Sequence, residues 1–227
     1  MPVLTIASSK GGPGKTTVAM LLAGALAAEG GTVLVLDADP TQALSRWAVN
    51  TYEGPPIETL AEVDEAQLAH IINERAEAAH LVIVDTAGFG NRAATVAMTS
   101  ADAIIVPSLA GEADVTEAEK TIRLAGGLAR AARRDIPARV LLNRVKRTQL
   151  ARHAAQELAS AGLPRIETTL SDLVVYGELS YSGRIPTSGA AAVELAALVA
   201  ELRGLGWLPA WKGGVLSDIR NDVTQKL

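Results

Sequence analysis

Residues 8–17 read SSKGGPGKTT, a set of side chains suited to holding an anion. Gly11, Gly12 and Gly14 let backbone N–H groups turn inward around phosphate oxygens. Lys15 supplies a cation that can bridge the β- and γ-phosphates of a nucleotide. The hydroxyl of Thr16 can ligate the accompanying Mg²⁺, and Thr17 completes the nucleotide-binding set. The ordinary spacing, G-x-x-x-x-G-K-[ST], puts a glycine at position 9. Here that position is Ser9, and a second lysine, Lys10, stands ahead of the glycines. Pro13 has a fixed φ and no N–H, so it donates nothing to a phosphate.

Carboxylates and an amide recur at three further points. LVLDADPTQ (34–42) closes an apolar run with Asp37 and Asp39, and LVIVDTAG (81–88) closes another with Asp85. An acid at the end of an apolar strand is placed to hold Mg²⁺ through water, so Asp85 joins Thr16 as a candidate metal ligand. Asp39-Pro40 also fits a turn or a helix N-cap. VLLNRV (140–145) ends in Asn143, whose carboxamide carries a donor and an acceptor side by side. The chain has no cysteine, which excludes disulfides, thiolate metal sites and a cysteine nucleophile. His70, His80 and His153 follow no metal-ligand spacing.

These groups need a frame that brings them together. Short β-rich runs, at 3–7, 32–37, 81–85, 103–107 and 138–143, are almost continuously apolar, as strands buried on both faces should be. A weaker run lies at 166–169. Between them fall helical patterns at about 15–29, 41–49, 64–79, 91–100, 113–133, 148–161 and 190–203. This alternation predicts an α/β fold, a doubly wound, mostly parallel sheet with helices on both faces. Right-handed crossovers then gather every strand's C-terminal end on one edge, where ligands bind. The loop at 8–17, Asp37, Asp39, Asp85 and Asn143 all stand at or just after such ends. The 227 residues, 48% of them hydrophobic, are expected to form a single domain with a C-terminal tail over about 204–227. The N-terminus lacks the pattern of a signal peptide, and no window of about 18 apolar residues is uninterrupted, so a cytoplasmic location is expected.

The K-G-G-x-G-K-[ST]-T loop resembles the deviant phosphate loop of the ParA/MinD-type ATPases, and the likeness runs over roughly residues 3–200. The short chain ahead of the first strand, SRW (45–47) and the segment 171–187 resemble the small ParA proteins of plasmid segregation. The resemblance implies a Mg²⁺- and ATP-dependent switch. Lys10 would reach across a nucleotide-sandwich homodimer to the partner's phosphates. Asp39 would contact the attacking water, with Asp37 near the Mg²⁺ shell. Gly88 would present its N–H to the γ-phosphate, and Asn143 would read the adenine edge. The chain departs from the family at Thr41, which separates Asp39-Pro40 from Gln42, and at Ala87-Gly88, where relatives often carry prolines.

The resemblance also implies non-specific DNA and a ParB-like or centromere-binding adaptor as partners, with nucleoid association in the ATP state. Residues 130–152 hold Arg130, Arg133, Arg134, Arg139, Arg144, Lys146, Arg147 and Arg152 against Asp135 alone, a local concentration in a chain of net charge −4. Such a patch suits sequence-independent phosphate contacts, or is a solvated helix face. Arg184 is a further candidate, since relatives carry Arg where this chain has Val174 and Val175. Leu216, Ile219, Val223 and Leu227 have helical spacing without a basic excess, which favours a helix packed on the domain over a MinD-like membrane anchor. An ATP-dependent metabolic enzyme resembling dethiobiotin synthetase is the remaining alternative, and Lys10 argues against it.

Overall fold

The computed structural model describes residues 2–88, 91–146 and 149–210. Six strands form one all-parallel sheet in the order β3-β2-β4-β1-β5-β6. They are β1 (Val3–Ile6), β2 (Val33–Ala38), β3 (Glu58–Ala61), β4 (Leu81–Thr86), β5 (Ala103–Ser108) and β6 (Ala138–Leu142). The helices are α1 (Lys15–Ala28), α2 (Ala43–Asn50), α3 (Glu65–Arg75), α4 (Arg92–Ser100), α5 (Glu112–Ala132), α6 (Gln149–Ser160), α7 (Val174–Ser182) and α8 (Gly189–Gly204). The five apolar runs are strands, and the expected helices lie within a few residues of their predicted bounds.

Alternation along the strands divides the core. Leu4, Ile6, Val33, Val35, Leu81 and Ile83 pack with α1, α2, α7 and α8 on one face. Val3, Leu34, Leu36, Val82 and Val84 pack with α3 and α4 on the other, where Ile104, Val106, Val140 and Leu142 meet α5 and α6. Helix α1 is buried along nearly its whole length, which its run of Ala, Leu, Val and Met permits on every side.

Two stretches depart from expectation. β3 has no apolar run: ETLA is an edge strand, half-exposed and paired only with β2, so its register rests on backbone bonds. The weak run at 166–169 is not a strand. The chain there follows β6, with Ile166 N donating to Val140 O (2.8 Å) and Leu170 N to Leu142 O (3.0 Å). The ladder breaks between them because the amides of Glu167 and Thr168 donate instead to the Glu201 carboxylate of α8, at 2.7 and 2.8 Å. Earlier in α8, Glu194 accepts from Ser171 N (2.9 Å), Ser171 Oγ (2.5 Å) and Tyr176 Oη (2.9 Å). Replacing that acceptor leaves the Ser171 amide without its partner and the Tyr176 hydroxyl with the Ala191 carbonyl alone (3.1 Å), so Glu194→Ala should lower the unfolding free energy by about 1–3 kcal/mol in a urea titration.

Candidate functional site

Parallel strands place the expected groups at one edge, and side-chain alternation decides which of them face α1. Asp37 shares the facing of Val33 and Val35, and Asp85 that of Leu81 and Ile83. The two aspartates are register partners on neighbouring strands, both fully buried or nearly so. Thr16, in the first turn of α1, donates its hydroxyl to Asp85 Oδ2 at 2.7 Å. Asp85 Oδ1 is buried and has no hydrogen-bond partner among the described residues. Burial pushes the Asp85 carboxyl up from 3.8 to about 7, against the Thr16 hydrogen bond, which favours the charged form. A hydroxyl beside a half-satisfied buried carboxylate is the oxygen donor set that a hard cation such as Mg²⁺ takes. Among the described residues no three His, Asp or Glu side chains converge as a self-sufficient metal cluster. A Mg²⁺ here would therefore draw its remaining ligands from phosphate and water.

Asp37 is committed to the backbone. Its Oδ1 accepts from Asp39 N (3.2 Å) and its Oδ2 from Ser45 N (2.8 Å), which ties the end of β2 to the first turn of α2. Burial raises its pKa, and those amide bonds oppose the rise. Asp39 lies beyond the strand, with Oδ1 accepting from Thr41 N at 2.8 Å, so the turn expected of Asp39-Pro40 is present. Gln42 takes a left-handed φ of 50° ahead of α2.

The phosphate-type loop wraps the start of α1. Gly12 and Gly14 have φ of 92° and 94°, conformations that glycine adopts without strain. Lys15 is buried, and its Nζ reaches Ser8 Oγ and the Lys10 carbonyl only at 3.4 and 3.5 Å. Burial lowers its pKa, while Asp85 and Asp39 hold it up through space. Gly88 closes on the loop from β4: a β-carbon there would lie 3.8 Å from Gly11 N. An open cleft of about 790 Å³ lies beside this approach, lined by Ser9, Gly11, Gly88, Asn91 and Arg92 among others.

Ser9 and Lys10 turn away from that centre toward α5. Ser9 N donates to Thr121 Oγ1 (3.0 Å), and Ser9 Oγ to the backbone and side-chain oxygens of Glu117 (3.0 and 2.8 Å). Lys10 Nζ pairs with Asp114 Oδ1 at 2.7 Å, with half of the lysine side chain exposed. From the sequence, Ser9 is only a missing glycine. Its role as an anchor, and Asp114 as the partner of Lys10, depend on contacts more than 100 residues away in sequence.

The basic residues divide. Arg130, Arg133 and Arg134 sit at the C-terminal end of α5, beside the sheet edge opposite the site, where Arg134 pairs with Asp102. Arg144 and Lys146 follow the other end of β6 and share Asp172. The strand between them spans about 17 Å, so the single 130–152 patch expected from the sequence is two clusters. Arg152 is exposed early in α6, Arg184 pairs with Glu53, and Arg147 lies outside the described residues. The terminal stretch with Leu216, Ile219, Val223 and Leu227 also lies outside them. No helix among the described residues is long and apolar enough to cross a membrane.

Comparison with known proteins adds to this geometry. The family model for the VirC1 protein matches residues 1–195. Protein ParA of Rhizobium radiobacter is 37% identical over 125 residues, which span 55% of this chain and 56% of that protein. Protein virC1 of Rhizobium rhizogenes is 28% identical over 192 residues, 82% of this chain and 83% of that one. The solved structure of Cyanothece McdA, an aspartate-to-alanine variant in complex with ATP, superposes with a TM-score of 0.77 at 17% identity, over 93% of this chain and 99% of the other, a likeness of fold.

The buried carboxylate sets a pH dependence in the nucleotide-free protein. Between 3.8 and about 7 the unfolded chain has released the Asp85 proton and the folded protein keeps it. Stability therefore falls as pH rises through that window and levels off above it. Melting temperature, followed by scanning fluorimetry from about pH 5 to about pH 7.5, should fall for the wild type and fall less for Asp85→Asn. The residual slope belongs in part to Asp37, which burial shifts in the same direction.

Proposed function

Because the chain belongs to the VirC1 family, within the ParA/MinD-type phosphate-loop ATPases, we propose that it hydrolyses ATP with Mg²⁺ and works as a dimeric switch on DNA. The observation that carries this is the pairing of a buried, weakly satisfied Lys15 with the Thr16–Asp85 couple at the mouth of α1. The backbone amides of Gly11, Gly12 and Gly14, with the positive end of α1, take the phosphates. Lys15 would contact the β- and γ-phosphates, and Thr16 and Asp85 would hold the metal, with Asp37 behind them. Bound Mg²⁺ would supply charge neutralisation to the phosphates. Asp39, oriented by the Thr41 amide, positions the attacking water, and Gly88 brings its N–H to the γ-phosphate. Among the described residues no strong general base stands at the site, so turnover is slow until a partner stimulates it.

In this reading ATP closes two copies face to face, and Lys10 exchanges Asp114 for the phosphates of the partner. A half-exposed ion pair of this kind contributes on the order of 1 kcal/mol, so the exchange is readily driven. The closed dimer holds DNA through Arg144, Lys146 and Arg152, the cluster on the site's edge. A ParB-like or centromere-binding adaptor then triggers hydrolysis and release, segregating or positioning plasmid or chromosomal DNA.

Light scattering with Mg²⁺-ATP should show the mass double for the wild type. Lys15→Ala should lose nucleotide binding, and Lys10→Ala should bind ATP yet stay monomeric. A mass that does not respond to ATP would refute the switch. In Asp39→Ala, turnover should fall at least about tenfold while the ATP-bound dimer persists. Sedimentation with random-sequence DNA should require ATP and weaken with added salt. Reversing charge at Lys146 and Arg152 should abolish it, and unchanged retention would remove these residues from the DNA surface.

A further inference from the structure

We propose that Asn143 is a positioning residue for the phosphate loop, acting on the bound polyphosphate through Pro13 and independently of the nucleotide's base. The proposal rests on the nucleotide-binding reading given above and assigns a different role to a residue that the family resemblance would place on adenine.

Asn143 immediately follows β6, its backbone N donating to Ser108 O at 2.8 Å. The side chain is 4% exposed and fixed at both ends. Nδ2 donates to the Pro13 carbonyl at 2.8 Å, and Oδ1 accepts from Arg144 N at 2.9 Å. The second bond accompanies a left-handed Arg144, with φ of 52°. Pro13 is itself buried and has no N–H, so its carbonyl is the one polar backbone group it offers.

The next residue makes the contact possible. A β-carbon on Gly14 would lie 2.2 Å from Asn143 Nδ2, and Gly14 has the left-handed φ of 94° from which α1 begins. The absent side chain at Gly14 thus leaves room for the carboxamide, and the Gly14 carbonyl accepts the first α1 bond from Val18 N at 2.9 Å. The loop is held at two places: its front at Ser9 by Thr121 and Glu117, its rear at Pro13 by Asn143. Between these anchors lie Gly11 and Gly12, whose amides must converge on phosphate. Without the rear anchor a buried carbonyl loses its partner and the converging amides lose their fixed spacing.

The two roles for Asn143 separate on a ligand that has no base. Titration calorimetry with Mg²⁺ would compare ATP, GTP and inorganic tripolyphosphate on the wild type, Asn143→Ala and Asn143→Asp, each checked for folding by its melting curve. The positioning role predicts that every ligand the wild type binds weakens by a common factor of about tenfold in folded variants, tripolyphosphate included. A loss confined to ATP, or no loss, overturns it. A wild type that binds none of the three would instead overturn the nucleotide reading. One measurement needs no variant. In the ligand-free wild type, the Asn143 side-chain amide should exchange slowly with solvent and show through-hydrogen-bond NMR coupling to the Pro13 carbonyl carbon. Fast exchange without coupling would remove the anchor.

Discussion

The Thr16–Asp85 hydrogen bond joins the first turn of α1 to the end of the central strand β4, and the geometry of the ligand edge is organised around it. A carboxylate buried this deeply is unfavourable unless charge or hydrogen bonds meet it, and one of its oxygens has no such partner among the described residues. Lys15 and Asp37, distant in sequence, are buried at the same edge of the sheet. Three ionisable groups are thus withdrawn from water at one point, and their mutual attraction and repulsion only partly offset the desolvation. A phosphate with a divalent cation supplies both missing signs at once. In the proposed reading, a metal-bound polyphosphate therefore suits this site better than either ion alone.

Facing follows from the same constraint. Asp37 and Asp85 look toward α1 because each continues the odd-numbered positions of its strand, the positions that supply the apolar side chains packed there. A shift of one residue in either strand would send its carboxylate to the α3–α4 side, and in β4 it would leave Thr16 without its partner. The register pairing Asp37 with Asp85 across the two strands is accordingly a condition of the site as well as of the core.

Much of this was legible because the signals are local. Five strands announced themselves as apolar runs, and the loop's glycines and lysines lie within one decapeptide. What was not legible depended on distance or on polarity. β3 is an edge strand with little apolar surface, so it left no run to find. The chain at 166–169 looked like a weak strand because nothing nearby reveals that α8 carboxylates take its amides. The basic residues were adjacent in sequence and therefore read as one surface, although a strand and its turns carry them to opposite edges. Asp114, Thr121 and Pro13 each meet their partners across more than 100 residues, and no periodicity encodes such a meeting.

The attachment of the loop to α5 has a mechanical meaning. Helix α1 is enclosed by its neighbours and serves as a fixed anvil, whereas α5 runs 21 residues, about 30 Å, from the loop to the far edge of the sheet. Its first three turns hold Lys10 and Ser9, and its last turn carries Arg130. Any displacement of the loop's front half must either break those bonds or tilt that helix. A small movement beside the phosphates would then emerge, as by a lever arm, on the opposite side of the molecule.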